Sequence, residues 1–477
     1  MDSDEDVETK FTIRKKIKPE ESKTTNLVES IPGPPSEEMG DLETEVPEPQ
    51  EYADREIKEE TKDEKEEDEG ESYKNPLWGD SAKEEEKGEA FDITKVKADE
   101  KGQLDFYIKK DIMESYQRRE LETIMLRNYH NWIKSVLINK YTDEVKRNFR
   151  DRNPRGFLKI SVLDLGCGTG GDITKWVPNR ISYYLGMDVS KTAVEKAHER
   201  WEKIAKQKLP ADFINCGGAA KESAFFRNID DNIYFDLVSS QFVIHYMFSK
   251  QSDVENLFKN ISKKLCKDGY FICSIPDADV MVKRIRTKGV KNEKGEFVLG
   301  NKFYSIKFKD DHFPKDKPYG IEYGFFLDDG AVGNKTVDEE GNIKITYVPE
   351  YVIIPENFVK VAKKYDLELV EEKNFHDFCK ESIKNKNYVA LMERLKLDDV
   401  AKIPKELWEI SYLYKVCAFR KTSGREMNDT DRNFQKYSKG KVIIQPEEED
   451  DESDSFSDRN EPEAKVDEIS EDLFGDS

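Results

Sequence analysis

The sequence predicts an α/β protein built on a doubly wound, mostly parallel β-sheet. Between about residues 160 and 280, short apolar runs typical of strands alternate with amphipathic helical patterns. Such alternation buries a parallel sheet between two layers of helices. The first apolar run also ends in an acid and a cluster of glycines, and ligands of this architecture bind at the carboxyl ends of the strands. A ligand site is therefore expected at that turn.

Composition separates a folded centre from two acidic ends. The chain has 477 residues, of which 37% are charged, and its mean hydropathy of −0.82 is too low for one continuous globule. Residues 1–100 contain 34 acidic and 15 basic residues, and residues 447–477 contain 15 and 2. The part between them has 61 basic and 51 acidic residues, a net charge of +10. We expect disordered acidic tails at 1–105 and 423–477, and one folded domain at 106–422.

The basic centre suits a partner that carries phosphates, although many basic proteins bind no nucleic acid. In the N-terminal tail, the basic island Arg14–Lys18 resembles a nuclear import signal. The six cysteines are scattered without a C-x-x-C motif, which predicts a reducing compartment and no structural zinc. No apolar run is long enough for a membrane span, and no apolar signal core is visible, so we expect no membrane association and no export.

The glycine-rich turn lies in Val162–Asp172, VLDLGCGTGGD. Glycines at such a turn adopt positive φ angles and leave the backbone bare for a closely approaching ligand. Their spacing fits both the dinucleotide fingerprint G-x-G-x-x-G and the D-x-G-x-G-x-G pattern of S-adenosylmethionine (SAM) enzymes. The next predicted strand ends at Asp188, an acid that can bind the two hydroxyls of a ribose. A nucleotide ligand is therefore expected, and the turn alone leaves NAD and SAM open.

The following elements continue the alternation. Ser190 is expected to cap a helix, and the apolar segments Phe213–Asn215 and Tyr234–Ser239 are expected to be the next strands. Ser252–Glu255 reads as a capping box that opens a helix ending at Gly269. From about 280 to 350 the pattern is less regular, with strand-like aromatic segments NKFYSIKF and YGIEYGFFL between polar loops. A helix is expected near Asn357, and the segment 407–421 is expected to be the final strand.

Five blocks in this order resemble the cellular mRNA cap guanine-N7 methyltransferases: RNYHNWIKS, VLDLGCGTGGDITKW, SSQFVIHYMF, VPEYVIIP and LWEISYLYKVCAFRK. The resemblance covers about residues 110–421. It implies a Rossmann-like SAM-dependent methyltransferase fold with extra cap-binding strands and loops. It also implies transfer of a methyl group from SAM, without a metal, to N7 of the guanosine cap (GpppN) of mRNA. The implied setting is the nucleus, beside RNA polymerase II and the other capping enzymes. The acidic tails would recruit these partners, or would keep RNA from the wrong faces.

The resemblance also assigns site residues by matching position. On the SAM side these are Lys134, Gly166, Asp188, Gln241 and Tyr246. On the cap side they are His130, Asn131, Lys175, Arg200, His245, Glu350 and Tyr414. No catalytic acid or base is expected, because N7 of guanine has a free lone pair and needs only to be held in line with the methyl group. Glu350 would accept hydrogen bonds from the guanine edge and favour the positive charge that methylation creates.

Three positions depart from the family pattern. Thr169 stands where the family usually has a lysine in the glycine turn, and His130 replaces the first of two asparagines. The family's acid for the adenine of SAM is absent, because the corresponding place holds Gly217 or Gly218. Thr169 and Gly217 keep open the alternative of a catalytically weak SAM-fold protein that binds capped RNA. A SAM methyltransferase for another purine or small substrate is a second alternative, which leaves Glu350, Tyr414 and the basic centre unexplained. An NAD dehydrogenase lacks any supporting catalytic block.

Overall fold

A computed structural model of the chain describes residues 97–100, 122–156, 158–206, 208–216, 225–226, 229–310, 313, 317–330, 332–337, 343–397, 402–427 and 440–444. The basic island Arg14–Lys18 and the glycines at 217 and 218 lie outside these residues. In the described part of the chain, no helix is long and apolar enough to cross a membrane.

The strands of the described residues fall into two sheets. They are β1 (Lys97–Glu100), β2 (Ser161–Leu165), β3 (Tyr183–Asp188), β4 (Ala211–Asn215), β5 (Phe235–Gln241), β6 (Leu265–Pro276), β7 (Val290–Lys291), β8 (Phe297–Asn301), β9 (Tyr304–Phe308), β10 (Glu322–Leu327), β11 (Asn334–Val337), β12 (Ile343–Tyr351), β13 (Leu367–Asn374), β14 (Tyr414–Lys421) and β15 (Val442–Ile444). The α-helices are α1 (Ile124–Arg152), α2 (Ile173–Trp176), α3 (Lys191–Ile204), α4 (Gln251–Lys264), α5 (Ala278–Lys288), α6 (Pro355–Lys364), α7 (Phe375–Ser382), α8 (Lys386–Arg394) and α9 (Lys405–Ser411).

The central sheet has eight strands in the order β13-β14-β6-β5-β2-β3-β4-β15. The six strands from β6 to β15 are parallel, and β14 runs antiparallel to both β6 and β13. Every residue of β2 and β5 is buried, as expected for strands covered on both faces. Successive residues enter opposite cores: Val162 packs with α1 and α3, whereas Leu163 packs with α4 and α6. The predicted doubly wound, mostly parallel sheet is confirmed.

All strands of the second sheet except β1 lie between α5 and α6 in the chain. Its strands follow the order β1-β12-β10-β9-β8-β7, and β11 also pairs with β12. The strand-like aromatic segments of the sequence are β9 and β10, whose alternating residues Tyr304, Ile306, Tyr323 and Phe325 join the larger core. β12 ends beside the 3-10 turn Ile244–Ser249 that follows β5, so the second sheet borders the carboxyl ends of the central strands.

Ser190 caps α3 as expected, since its Oγ accepts the N–H of Ala193 at 3.3 Å. The capping box at Ser252 is wrong. The helix begins at Gln251 without a side-chain cap, because the preceding 3-10 turn leads directly into it. Gly269 does not end this helix. It lies within β6, in an irregular stretch of the pairing between β5 and β6, beside Asp268 with a φ of 60°.

The prediction of one strand over 407–421 is also wrong in its first part. Lys405–Ser411 form α9, and the strand begins only at Tyr414. Leu407, Trp408 and Ile410 are all buried. A short apolar run of this kind fits a buried helix as well as a strand, so periodicity alone could not separate the two.

Two short strands lie in segments that the sequence analysis assigned to the tails. β1 pairs in parallel with β12, and β15 pairs in parallel with β4 at the edge of the central sheet. The N–H of Phe213 donates to the carbonyl oxygen of Lys441 at 2.8 Å, and the N–H of Lys441 donates to Asp212 Oδ1 at 2.9 Å. Gly440, with a φ of 63°, passes over the ring of Trp201. The edge of the central sheet is therefore covered by the chain itself.

Gly440→Val is expected to detach β15. A side chain at this left-handed position costs about 1–2 kcal/mol, and its Cβ would lie 2.9 Å from the Trp201 ring. Hydrogen exchange should show faster exchange of the Phe213 amide, which loses its acceptor. Gly295→Val is the control, because it adds the same backbone penalty at a φ of 79° where a Cβ meets nothing. Unchanged protection of the Phe213 amide in Gly440→Val would contradict the pairing.

Candidate active site

The glycine turn after β2 forms an open cradle beside an acid. Gly166 and Gly168 have φ angles of 73° and 52°, and a Cβ built on Gly168 meets no atom within 4 Å. Asp188, at the end of β3, accepts the N–H of Gly168 on Oδ2 at 2.7 Å and the N–H of Ser190 on Oδ1 at 2.9 Å. Burial raises the pKa of this carboxyl, and the two N–H groups limit the rise. A carboxylate fixed beside bare backbone fits the ribose of a nucleotide cofactor.

Two lysines share one carboxylate next to this cradle. Lys134 Nζ on α1 and Lys175 Nζ on α2 each lie 2.8 Å from Asp172 Oδ1, and Lys175 also donates to Asn131 Oδ1 at 2.9 Å. Burial alone raises the pKa of Asp172, but the two lysines outweigh it and hold the pKa well below its usual range. The two lysines outnumber the one carboxylate that they contact, which suits the methionine carboxylate of SAM or a phosphate.

The segment after β5 carries two further predicted residues. Gln241 is buried and donates from Nε2 to Ser239 Oγ at 3.2 Å, while its Oε1 has no hydrogen-bond partner among the described residues. Phe242 follows with a φ of 63°, an unusual conformation for an aromatic residue. Its N–H donates to the backbone oxygen of Ser274, which holds the strained residue in place. This kink brings the 3-10 turn with His245 and Tyr246 over the ends of the strands.

Glu350, near the end of β12, is the acid of the opposite wall. It is only 3% exposed. Tyr246 Oη donates to its Oε1 at 3.0 Å, and Tyr323 Oη donates to its Oε2 at 2.7 Å. His245 Nε2 lies 3.4 Å from Oε1. Both carboxylate oxygens are therefore held by phenol donors, and each oxygen can accept more than one hydrogen bond.

Aromatic rings form the floor between these groups. The ring of His130 lies 5.3 Å from Phe242, 5.4 Å from Tyr414 and 5.6 Å from Phe375, measured between centroids. Burial, with a smaller contribution from Lys134, lowers the pKa of His130 to about 3. The imidazole is therefore neutral at physiological pH. Aromatic rings near a carboxylate are suited to a purine that presents N–H donors.

These groups line one cavity of about 930 Å³. It brings together nine of the predicted residues: His130, Asn131, Lys134, Lys175, Arg200, His245, Tyr246, Glu350 and Tyr414. The other three predicted residues, Gly166, Asp188 and Gln241, do not line it. The cavity thus joins residues assigned to the SAM side, Lys134 and Tyr246, with those assigned to the cap side.

Sequence reasoning missed several residues of the cavity. Phe242 and Phe325 line it, and so does Lys196, one helical turn before Arg200 on α3. The spacing of Lys196 and Arg200 was a usable signal, because residues four apart share a helix face. Tyr323, which holds Glu350, gave no signal of its own.

Comparison with known proteins identifies the family of this chain. Residues 94–422 match the family model described as the mRNA (guanine-N(7))-methyltransferase domain. The chain belongs to this family of mRNA cap guanine-N7 methyltransferases. It is 31% identical to mRNA cap guanine-N(7) methyltransferase 1 of Oryza sativa subsp. japonica over 342 residues, which are 69% of this chain and 82% of the relative. It is 34% identical to the mRNA cap guanine-N(7) methyltransferase of Schizosaccharomyces pombe over 288 residues, 60% and 71% of the two chains.

Among solved structures, the chain is similar to a SAM-dependent methyltransferase from Clostridium acetobutylicum. The match covers 60% of this chain and 92% of the other chain, with a TM-score of 0.35 and 15% identity.

As a cap guanine-N7 methyltransferase, the protein transfers a methyl group from SAM to N7 of the guanosine cap, and capped RNA is its substrate. The open cradle at Gly168 and the carboxylate of Asp188 fit this cofactor. The described residues contain no group of three or more histidines, cysteines and acids that could hold a metal. All six cysteines are buried free thiols.

Proposed function

We propose that the cavity holds the cap guanine between its aromatic rings, with the N1–H and N2–H₂ edge of the base against Glu350. The observation that carries this proposal is the buried carboxylate whose two oxygens are both fixed by phenol hydroxyls. Guanine offers two adjacent N–H donors at this edge, so a carboxylate of fixed orientation can accept both. His130, Tyr414 and Asn131 would bound the plane of the base, and Lys175 and Arg200 would face the triphosphate bridge.

The proposed cofactor side consists of Lys134, Gly166, Asp188, Gln241 and Tyr246. SAM supplies an electrophilic methyl group when bound. The chain itself contributes position and charge: Asp188 fixes the ribose, Lys134 fixes the carboxylate, and the aromatic floor excludes water. The guanine becomes positively charged as N7 gains the methyl group, and Glu350 favours that charge from the opposite edge of the base. No residue needs to remove a proton, because N7 carries none, so proximity and electrostatics account for the rate.

We also propose that the chain works in the nucleus beside RNA polymerase II and the other capping enzymes. Two sequence features support this: the basic island Arg14–Lys18 and the acidic tails, which offer a charged surface to such partners. Pull-down from nuclear extract with the full chain and with a variant lacking residues 1–96 tests the recruitment. Equal capture of the polymerase by both would contradict a role for the N-terminal tail.

Methyl transfer from labelled SAM to GpppG-ended RNA tests the proposed function directly. The expected product is N7-methylguanosine at the cap, and uncapped RNA of the same sequence should remain unlabelled. Equal labelling of uncapped RNA or free nucleosides would instead indicate a methyltransferase for another purine substrate. Binding of capped RNA without transfer would indicate a SAM-fold protein that only recognises the cap.

A further inference from the structure

Both oxygens of the Glu350 carboxylate accept hydrogen bonds, and the two donors belong to parts of the chain that are far apart in the sequence. Tyr246, the donor to Oε1, belongs to the 3-10 turn that follows the central strand β5. Tyr323, the donor to Oε2, belongs to β10 of the second sheet. The two hydroxyls therefore hold the carboxylate at both of its oxygens.

Of these two tyrosines, Tyr323 is the more firmly held. It pairs directly across the strands with Glu350 in the antiparallel register of β10 and β12, so both side chains leave the same face of the sheet. Its ring packs on Phe308 with centroids 5.3 Å apart, and it is only 1% exposed. Tyr323 does not line the cavity, whereas Tyr246 does. Tyr323 thus contacts Glu350 from behind, out of reach of the ligand.

An outside donor is needed because a glutamate does not fix its own carboxylate plane. Rotation about the last side-chain bond of glutamate is broad and has no sharp staggered minimum. With a hydroxyl on each oxygen, the plane has one orientation, and the second lone pair of each oxygen points to a defined place. One acceptor lone pair on each oxygen, at a fixed spacing, matches a base that presents two adjacent N–H donors. A carboxylate that is free to rotate would instead turn towards the N–H group of a base that presents only one donor.

We propose that Tyr323 is a positioning residue that sets the preference of this site for guanine over bases lacking the 2-amino group. This inference rests on the proposed contact between Glu350 and the guanine edge. Hypoxanthine, the base of inosine, keeps the N1–H of guanine but has no N2 amino group. A fixed carboxylate leaves one oxygen without its ligand donor when inosine binds, and that loss discriminates against inosine.

The test compares GpppG with IpppG as methyl acceptors for the full chain and for Tyr323→Phe. Loss of one hydrogen bond to a charged group is expected to lower kcat/KM for GpppG about tenfold. IpppG should lose less, because the released carboxylate can turn towards its single donor, so the ratio of the two kcat/KM values should fall about fivefold. The Kd for SAM, measured by calorimetry, should be unchanged.

Tyr347→Phe is the matched control. Tyr347 lies on β12, is equally buried, and its hydroxyl bonds Ser305 Oγ at 2.7 Å rather than Glu350. This variant should leave the ratio of GpppG to IpppG unchanged. In a Glu350→Gln background, Tyr323→Phe should have little further effect on either substrate, since the two residues act as one unit.

Equal losses for GpppG and IpppG in Tyr323→Phe, or the same change in ratio in Tyr347→Phe, would overturn the inference and leave Tyr323 a merely structural residue. The proposed function is judged separately. Transfer to GpppG by the unmodified chain, together with its loss in Glu350→Gln, would retain the role of Glu350 even if the tyrosine proposal fails.

Discussion

Asp188→Ala is expected to weaken SAM binding strongly and, with it, methyl transfer. The carboxylate is already held by the N–H groups of Gly168 and Ser190, so it needs little further ordering to accept from a ribose. Two hydrogen bonds from ribose hydroxyls to a charged group contribute about 3–6 kcal/mol together. Their loss should therefore weaken SAM binding by a factor of about 10² to 10⁴. Isothermal titration calorimetry with SAM measures this change.

Asp231→Ala provides the comparison, because Asp231 is an exposed acid on the loop before β5. It should bind SAM as the unmodified chain does. Asp188→Asn tests the contribution of the negative charge alone. The amide keeps an oxygen that can accept from the Gly168 N–H but carries no charge, so we expect a Kd for SAM between those of the unmodified chain and Asp188→Ala. SAM binding by Asp188→Ala with an unchanged Kd would show that the ribose lies elsewhere.

Glu350→Ala should have the second large effect, and it should fall on the cap rather than on SAM. The variant removes the acceptor for the guanine edge and the carboxylate that accepts from the hydroxyls of Tyr246 and Tyr323. It also removes the anion that favours the positive charge of the methylated base. A loss of about 10² to 10³ in kcat/KM for GpppG-ended RNA is expected, by analogy with the removal of one charge-stabilising group.

Steady-state assays at varied GpppG concentration measure this loss, and calorimetry with SAM checks that the cofactor site is intact. Glu356→Ala, an exposed acid at the start of α6, is the control and should keep full activity. If Glu350→Ala retained normal kcat/KM while losing SAM affinity, the assignment of Glu350 to the cap side would be refuted.

The sequence was sufficient for those parts of the fold whose signals are local. The buried strand before the glycine turn, the acid at Asp188 and the cap of α3 each follow from a few adjacent residues. The helix at Lys405–Ser411 was not predictable, because its short apolar run has no clear period and its burial comes from packing against α1. β15 could not be predicted for a related reason. Its three apolar residues lie next to an acidic segment, and they form a strand only because they pair with the edge strand β4.

The residues of the candidate site likewise include some that the sequence could predict and some that it could not. The resemblance assigned nine residues that the fold brings into one cavity, and six of them come from the blocks around Asn131, His245 and Glu350. Tyr323 escaped because nothing near it in the sequence marks it. Its role depends on the register of β10 against β12, which sets it opposite a residue 27 positions away. A hairpin turn would fix such a register, but β11 lies between β10 and β12 in the chain, so no short turn in the sequence indicates this pairing.

β15 runs parallel to β4, and that direction decides the side from which the C-terminal tail leaves. Ile444 lies opposite Asn215, so the chain departs at the carboxyl edge of the sheet, the edge that carries the cofactor cradle and the cavity. The acids at 447–452 follow in the sequence. The direction of β15 therefore brings the last described residues of the chain to the side of the sheet on which β2 ends at the glycine turn and β3 ends at Asp188.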